Sequence, residues 1–269
     1  MIAIDTHAHV FSQHDTCIAT ARYTQSYDAD IETFIGHLDA HGLSHAVLVQ
    51  PSFFGSNNQV LLNAIQQAPE RLKGVAVVEH HISTDALKDL KNSGIVGIRI
   101  NLFGLPRPDL DQADWHTFLQ RLEQVGLLIE LHAPPAYLLH LLPQLAQYQL
   151  QVVIDHFARP DPSKGLEDPN YQALFKLLNP QQHWVKVSAY YRLAACEQQL
   201  DVAQKAFAQL KSQGMLHRLL WGSDWPHTQH EQWVSYDKVL AMFKRIVSDP
   251  SEQALILGLN AAVLFDFVQ

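Results

Sequence analysis

The chain has 269 residues, of which 47% are hydrophobic and 17% are charged, and its formal net charge is −8. This is the composition of an ordinary globular protein with enough apolar residues for a sizeable core. The acidic balance argues against general nucleic-acid binding, which needs a basic surface.

The two cysteines, Cys17 and Cys196, are too few for a disulfide framework, so we expect free thiols in a reducing compartment. The N-terminus lacks the pattern of a signal peptide, and no apolar run approaches the length of a membrane span. We therefore expect a soluble, cytoplasmic protein whose partners are neither nucleic acids nor membranes.

Eight short apolar segments recur along the chain. Most are near-continuous runs of Val, Ile and Leu, which is typical of strands that are buried on both faces of a parallel sheet. The predicted strands are Ile2–Thr6, Ala46–Gln50, Gly74–Val78, Gly97–Leu102, Leu127–His132, Gln151–Asp155, Trp184–Ser188 and Arg218–Gly222.

Amphipathic segments with helix-capping signals separate these strands. Ser83 precedes the third segment, and Gly42, Gly94 and Gly126 follow the first, third and fourth. The predicted helices are Ile31–His41, Asn58–Gln67, Thr84–Asn92, Ala113–Val125, Ala136–Gln147, Tyr171–Leu178, Cys196–Gln213, Gln232–Ser248 and a closing helix, Glu252–Phe267.

Eight strand–helix alternations favour a single α/β domain over residues 1–269, a (β/α)8 barrel with an extra C-terminal helix. An open doubly wound sheet is the alternative, although the first strand lacks the Gly-rich turn of a dinucleotide-binding sheet. In such a barrel the chemistry lies at the carboxyl ends of the strands, so reactive residues should collect there.

Histidines and a carboxylate do follow three of the predicted strands. His7 and His9 are two residues apart and point to the same side of a strand, so both can reach one metal ion or one substrate group. His132 ends the fifth strand and Asp224 follows the eighth. Three imidazoles and a carboxylate suit Zn²⁺ or a similar divalent ion, and Asp224 could also accept a proton from water. Each residue taken alone has a plain structural interpretation as a packing histidine or a capping carboxylate.

The sixth strand ends in Asp155 and His156. Asp155 could orient a neighbouring histidine. His156 could bind a metal, donate a hydrogen bond to a developing oxyanion, or simply pack.

Arginines recur at the same rim. Arg99 lies inside an apolar strand, while Arg159 and Arg192 follow the sixth and seventh strands. Planar guanidinium groups suit bidentate capture of carboxylates, so three of them in an acidic protein indicate an anionic substrate. The alternative is internal ion pairing, for example of Arg99 with Glu130. Ser52 and Tyr191 are further candidates for the lining of the pocket.

Several segments resemble the amidohydrolase superfamily, in particular the amidohydrolase-2 branch that includes 2-pyrone-4,6-dicarboxylate lactonases and related sugar-lactone and sulfomuconolactone hydrolases. The resemblance covers essentially the whole chain, and the Gly-Ser-Asp-Trp-Pro-His run is its most specific part. The segments are Asp5-Thr6-His7-Ala8-His9, Glu130-Leu131-His132-Ala133, Ile154-Asp155-His156-Phe157-Ala158-Arg159-Pro160, Val185-Lys186-Val187-Ser188 and Gly222-Ser223-Asp224-Trp225-Pro226-His227.

The resemblance implies a distorted barrel and hydrolysis at a carbon centre. It places Arg99, Arg159 and Arg192 where arginines of the pyrone lactonases bind substrate carboxylates. A further arginine after the fourth strand is not matched, since Leu105 falls near its position and Arg107 lies two residues later. Pyrone lactonases also work without a metal and lack a histidine on the fifth strand, whereas His132 resembles the metal-binding members.

Together these observations predict a hydrolase that opens a carboxylated or polyhydroxylated lactone. Asp224 would be the general base, with His7, His9 and His156 around the reacting carbonyl, and Arg99, Arg159, Arg192, Ser52 and Tyr191 would bind substrate. A divalent ion, zinc by ligand preference, would bind His7, His9, His132 and Asp224, with a metal-free mechanism as the alternative. Other interpretations are a metal-dependent decarboxylase or isomerase and a non-catalytic binding barrel, and a homo-oligomer is compatible with each.

Overall fold

The computed structural model describes residues 2–267. Eight strands form one sheet in chain order, and each neighbouring pair is parallel. The strands are β1 (Ile4–Ala8), β2 (His45–Val49), β3 (Leu72–Ala76), β4 (Ile95–Asn101), β5 (Leu128–His132), β6 (Val152–Ile154), β7 (His183–Ser188) and β8 (Leu219–Gly222).

Hydrogen bonds between β1 and the segment at the end of β8 close the sheet into a barrel. The backbone N–H of His9 donates to the carbonyl of Trp225, and that of Asp224 donates to the carbonyl of His7, each at 2.8 Å. Gly222 permits this approach because a Cβ there would lie 2.5 Å from Cβ of His7. The predicted (β/α)8 barrel is confirmed.

Helices cover the outside of the barrel and bury one apolar face each. In α8, for example, Val239, Leu240 and Phe243 are buried at helical spacing. Within residues 2–267, no helix has both the length and the apolar character that a membrane crossing requires. The helices are α1 (Ile31–His41), α2 (Gln59–Gln67), α3 (Thr84–Asn92), α4 (Ala113–Val125), α5 (Pro135–Leu145), α6 (Pro169–Phe175), α7 (Gln199–Ser212), α8 (Tyr236–Ile246), α9 (Pro250–Ala254) and α10 (Asn260–Phe265).

The last two helices close the amino-terminal end of the barrel. A π-helical turn, Leu255–Leu259, joins them. Ala261, Ala262 and Phe265 pack against inward-facing residues near the strand starts, such as Ile4 and Trp184. The inward-facing residues at this end therefore form a packed core, and the interior of the barrel opens at the carboxyl end of the strands.

Some element boundaries differ from those expected. The first strand starts at Ile4 and includes His7, where the prediction ended it at Thr6. The eighth helix starts at Tyr236 because Ser235 caps it by accepting from the Lys238 N–H. The predicted closing helix is divided by the π-helical turn.

Candidate active site

A cavity of about 170 Å³ opens at the carboxyl ends of the strands. Four of the predicted residues with acid–base or ligand chemistry line it: His9, His132, His156 and Asp224. Ser52, Arg99, Arg159 and Arg192 line it as well. His7 and Tyr191 are buried directly behind this lining and contact Asp224.

A bulge in β1 orients His7 and His9 towards the cavity. The register of β1 against β2 shifts between Asp5 and Ala8. Asp5 stabilises this irregularity, since its Oδ1 accepts from the backbone N–H of His7 and of Ser223. Ile4 can thus pack in the barrel floor while His7, three residues later, reaches the interior of the site.

Beneath the cavity lies a buried ion cluster formed by Arg99, Glu130, Asp155 and Lys186. Arg99 Nη2 donates to Asp155 Oδ2 at 2.9 Å, and Lys186 Nζ donates to Glu130 Oε2 at 2.5 Å. Two cations therefore face two carboxylates, which is the condition under which buried charges are tolerated. Burial raises the pKa of Glu130 to about 7, with the neighbouring Asp155 adding to the effect.

The buried ion cluster also holds His7. Lys186 Nζ lies 2.9 Å from His7 Nδ1, and Asp155 Oδ1 lies 3.4 Å from the same atom. Burial, followed by the charge of Lys186, keeps the pKa of His7 well below its usual value. His7 is thus a neutral imidazole at pH 7, and a hydrogen bond received at Nδ1 places its own proton on Nε2.

The other two histidines next to Asp224 are oriented by their Nδ1 atoms as well. His9 Nδ1 lies 2.7 Å from the Val49 carbonyl and must donate to it, so in the tautomer with a single ring proton Nε2 is an acceptor. His156 Nδ1 lies 2.8 Å from the Ser188 hydroxyl, which can donate to it and leave the proton on Nε2. Burial lowers the pKa of His156 to about 4. The site thus combines donors at His7 and His156 with an acceptor at His9.

Asp224 lies at the centre of these imidazoles. Its Oδ2 accepts from the Tyr191 hydroxyl at 2.6 Å and from Arg192 Nε at 3.2 Å. Its Oδ1 is left facing Nε2 of three histidines: His7 at 3.6 Å, His9 at 3.7 Å and His156 at 3.9 Å. Burial alone would raise the pKa of Asp224, but the opposing interactions, with the charge of Arg192 the largest among them, hold that pKa well below its usual value. Asp224 is therefore an ionised carboxylate with one free oxygen.

The backbone around the site adopts left-handed conformations that side chains usually avoid. All residues from His156 to Arg159 have φ between 51° and 60°, and Asp224 has φ of 58°. Such conformations cost energy and persist where the surrounding structure enforces them, often at functional sites. Here they turn His156 and Asp224 towards the same point.

The three predicted arginines differ in their pairing. Arg99 is bound to Asp155, and Arg192 is bound to Asp224 and to the Thr228 carbonyl. Arg159 has no ion-pair partner among residues 2–267. The internal pairing considered for Arg99 is therefore present, with Glu130 at 3.5 Å as a second partner.

Two groups within the described chain bring at least three ligand atoms within 4.8 Å of one another: His7, His9 and Asp224, and His7, Asp155 and His156. The first contains three of the four predicted metal ligands, and His7 Nε2 has no hydrogen-bond partner among the described residues. The ligand atoms of His7, His9 and Asp224 can together hold a divalent ion. His132 belongs to neither group. Its ring is stacked on Phe103, with the centroids 5.6 Å apart.

Sequence reasoning gave no role to Lys186 or to Arg22, a fourth arginine at the cavity. The signal for Lys186 was present, since it is a lysine within an apolar strand, as Arg99 is an arginine within one. Arg22 lies in the long loop between β1 and α1, where no periodic pattern shows which way a side chain points.

Comparisons with known proteins agree with this geometry. The family model described as amidohydrolase matches residues 4–267. The fold superposes with a TM-score of 0.98 on a probable 2-pyrone-4,6-dicarboxylic acid hydrolase from Acinetobacter baumannii, solved with citric acid bound; the two are 55% identical, over 99% of this chain and 100% of that one. The 2-pyrone-4,6-dicarboxylate hydrolase of Comamonas testosteroni is 27% identical, over 90% of this chain and 82% of its own. The 4-sulfomuconolactone hydrolase of Rhizobium radiobacter is 26% identical, over 99% and 90% respectively.

Proposed function

This chain belongs to the amidohydrolase family, and on that premise we propose that it is a hydrolase that opens a carboxylated lactone by attack of water on the ring carbonyl. The observation that carries the proposal is the arrangement at Asp224. One oxygen is fixed by Tyr191 and Arg192, and the other faces three imidazoles. Relatives that match most of the chain are lactone hydrolases.

In the proposed reaction, water is held between two acceptors, Asp224 Oδ1 and His9 Nε2, which lie 3.7 Å apart. Its oxygen attacks the ring carbonyl carbon while Asp224 takes one of its protons. The carbonyl oxygen becomes an oxyanion, which accepts hydrogen bonds from Nε2 of His7 and His156. Preorganised donors of this kind are each worth roughly 3 kcal/mol at the transition state.

The tetrahedral intermediate then collapses. The bond between the carbonyl carbon and the ring oxygen breaks, and Asp224 returns its proton to the leaving oxygen. The product is an open-chain acid that contains one added water. Its new carboxyl group ionises at neutral pH, so each turnover releases one proton.

A divalent ion fits His7, His9 and Asp224, and we propose zinc by the preference of imidazole and carboxylate ligands. When bound, such an ion would polarise the water or the carbonyl. Histidines that ligate metals usually donate their other ring N–H to a carboxylate, a carbonyl or water. Among the charged groups around His7 Nδ1, the nearest is instead Nζ of Lys186, at 2.9 Å, and the carboxylate oxygens of Asp155 and Glu130 lie farther away. We therefore propose that ion binding is weak and that hydrolysis proceeds through the side chains of the protein itself.

The proposed substrate is a small anion, and the proposed location is the cytoplasm, where the free thiols of Cys17 and Cys196 are stable. We also propose that the protein can form a homo-oligomer.

Product analysis tests the reaction type. Purified enzyme is incubated with 2-pyrone-4,6-dicarboxylate, and ring absorbance, proton release and carbon dioxide are followed together. Lactone opening predicts that the ring is lost, that one proton appears per turnover and that no carbon dioxide forms. Stoichiometric carbon dioxide would identify a decarboxylase, and an isomer of unchanged mass would identify an isomerase. Stable binding without any product would indicate a non-catalytic barrel.

A further inference from the structure

Asp5 is a buried carboxylate that takes no part in the proposed reaction. Its side chain is fully buried, and within residues 2–267 no cationic side chain pairs with it. Three neutral groups donate to it instead. The backbone N–H groups of His7 and Ser223 donate to Oδ1, at 3.1 and 2.9 Å, and the Tyr236 hydroxyl donates to Oδ2 at 2.9 Å. Burying a charge without a counter-charge is costly, and these hydrogen bonds offset that cost.

Oδ1 of Asp5 joins the two segments that hold the reacting groups. His7 belongs to β1, while Ser223 follows β8 and directly precedes Asp224. The N–H of Asp224 also donates to the His7 carbonyl at 2.8 Å, so the two segments are bound to each other directly as well. These bonds hold His7 Nε2 and Asp224 Oδ1 at 3.6 Å from each other. In the proposed reaction the first donates to the oxyanion and the second takes the proton of the attacking water.

The backbone at this junction needs such support. Asp224 has φ of 58°, a left-handed conformation that is costly for a residue with a side chain. On the opposite segment, the register of β1 shifts between Asp5 and Ala8. The hydrogen bond from the Ser223 N–H fixes the chain one residue before Asp224. The orientation of the Asp5 carboxylate therefore bears on where the Asp224 side chain points.

Tyr236 fixes the other oxygen of Asp5 from outside the barrel. It is the first residue of α8, directly after the Ser235 cap. Its ring is buried and stacked on the ring of His37 in α1, with the centroids 5.0 Å apart and the planes at 3°. Trp221 contacts it edge-on at 6.1 Å. Neither Asp5 nor Tyr236 lines the cavity, so any effect of Tyr236 on the reaction must pass through other residues.

We propose that Tyr236 and Asp5 are positioning residues that together fix the base Asp224 relative to His7. The Tyr236 hydroxyl orients the carboxylate of Asp5, and Oδ1 of that carboxylate holds the backbone that carries both reacting side chains. Placement matters because an error of about 1 Å at a reacting centre can cost about a hundredfold in rate. The inference rests on the proposed function for the reaction, but the placement of Asp224 can be measured without turnover.

The kinetic test compares Tyr236→Phe with the matched control Tyr148→Phe. Each variant loses one hydroxyl from a buried ring, and the hydroxyl of Tyr148 is bonded to His116 on the outside of the barrel, away from the cavity. We expect Tyr236→Phe to lower kcat for 2-pyrone-4,6-dicarboxylate about tenfold, because a buried carboxylate oxygen loses its donor and the carboxylate shifts. Its KM should be nearly unchanged, since the residues that bind substrate stay in place. Tyr148→Phe should keep both constants.

Asp5→Asn separates placement from charge. The amide oxygen can accept from both backbone N–H groups, and the amide nitrogen can donate to the Tyr236 oxygen, so the geometry is conserved. This conservative variant should therefore retain a kcat well above that of Tyr236→Phe. A kcat for Asp5→Asn as low as that of Tyr236→Phe would assign the effect to the charge of Asp5 and overturn the inference. An equal loss in Tyr148→Phe would overturn it too, as a general effect of lost stability.

Crystal structures of wild type, Tyr236→Phe and Tyr148→Phe supply the measurement without turnover. We expect Asp224 Oδ1 to be displaced from His7 Nε2 in Tyr236→Phe and to keep its place in Tyr148→Phe. If wild type hydrolyses no lactone, the lactonase proposal fails, and a displaced Asp224 in Tyr236→Phe still supports the positioning role. If Asp224 keeps its wild-type place in Tyr236→Phe, or if that variant keeps the kcat of an active wild type, the inference is wrong whatever the enzyme hydrolyses.

Discussion

Nζ of Lys186 lies 2.9 Å from Nδ1 of His7, and both side chains are fully buried. A lysine on the seventh strand thus contacts the histidine that opens the site on the first strand. Because this hydrogen bond is received at Nδ1, the proton of the His7 ring lies on Nε2, the nitrogen that faces Asp224. The contact also connects the charge balance of the buried ion cluster to the chemistry above it.

Replacing Lys186 by Met should therefore change metal binding. With the lysine gone, Asp155 and Glu130 become the groups next to His7 Nδ1, and His7 can present an unprotonated Nε2 to an ion. We expect Lys186→Met to bind zinc more tightly than wild type in calorimetry. Wild type should keep its hydrolysis rate after treatment with a chelator. Complete loss of wild-type activity on chelation, restored by zinc, would contradict this.

The same substitution should destabilise the fold, because it leaves a buried carboxylate without its partner. Losses of about 3–5 kcal/mol are typical for breaking a buried ion pair. The double variant Lys186→Met, Glu130→Gln removes both charges and should recover part of this stability in urea unfolding. If the double variant regained stability and full activity together, Lys186 would be a structural residue without influence on His7.

A second prediction concerns how the free energy of unfolding depends on pH. It uses His183, which is distant in sequence from the residues proposed to bind a divalent ion. Burial lowers the pKa of His183 to about 4, and its Nδ1 accepts from the Asn179 backbone N–H. Between pH 6.5 and 4 the unfolded chain therefore binds a proton at this residue that the folded chain does not. The free energy of unfolding should therefore decrease as the pH is lowered from 6.5 to 4, by up to about 1.4 kcal/mol per pH unit for one such histidine.

The matched variant is His183→Asn, whose side-chain oxygen can still accept from Asn179. Urea unfolding at pH 7, 6 and 5 should give a shallower decline for this variant than for wild type. Glu130 contributes with the opposite sign, because burial raises its pKa to about 7 and the folded state takes up that proton first. It is present in both proteins and cancels in the comparison. Parallel declines would show that His183 is not kept neutral by folding.

The sequence was sufficient for the barrel, because eight apolar strands alternate with capped helices. It was also sufficient to place reactive residues at one end, since His7, His132, His156 and Asp224 all lie at strand ends. It could not predict the bulge in β1, which depends on a carboxylate of Asp5 bonded to Ser223 across the barrel closure. Nor could it separate paired from unpaired arginines, because pairing is decided by side chains far apart in the chain.

A third prediction concerns the closed end of the barrel. A Cβ on Gly258 would overlap the carbonyl of Ile2, so Gly258→Ala should push the closing helices away from β1. Overpacking of this kind typically costs about 1–3 kcal/mol. Gly36, in α1, has no atom within 4 Å of such a Cβ, and Gly36→Ala should instead stabilise by about 1 kcal/mol through helix propensity. Thermal unfolding of both variants compares the two effects, and equal shifts would contradict the proposed close approach.

The fourth prediction tests the residue on which the proposed mechanism depends. Asp224→Asn keeps the size of the side chain and can still accept from the Tyr191 hydroxyl, but an amide cannot take a proton from water. Because the pKa of Asp224 lies well below its usual value, wild type has the base ready at pH 7. We expect kcat to fall by at least about a hundredfold, as for loss of a general base, with an unchanged circular dichroism spectrum. The control is Asp114→Asn, an exposed carboxylate on α4, which should retain full activity. An Asp224→Asn enzyme that turned over at a rate close to that of the control would remove Asp224 from the role of base.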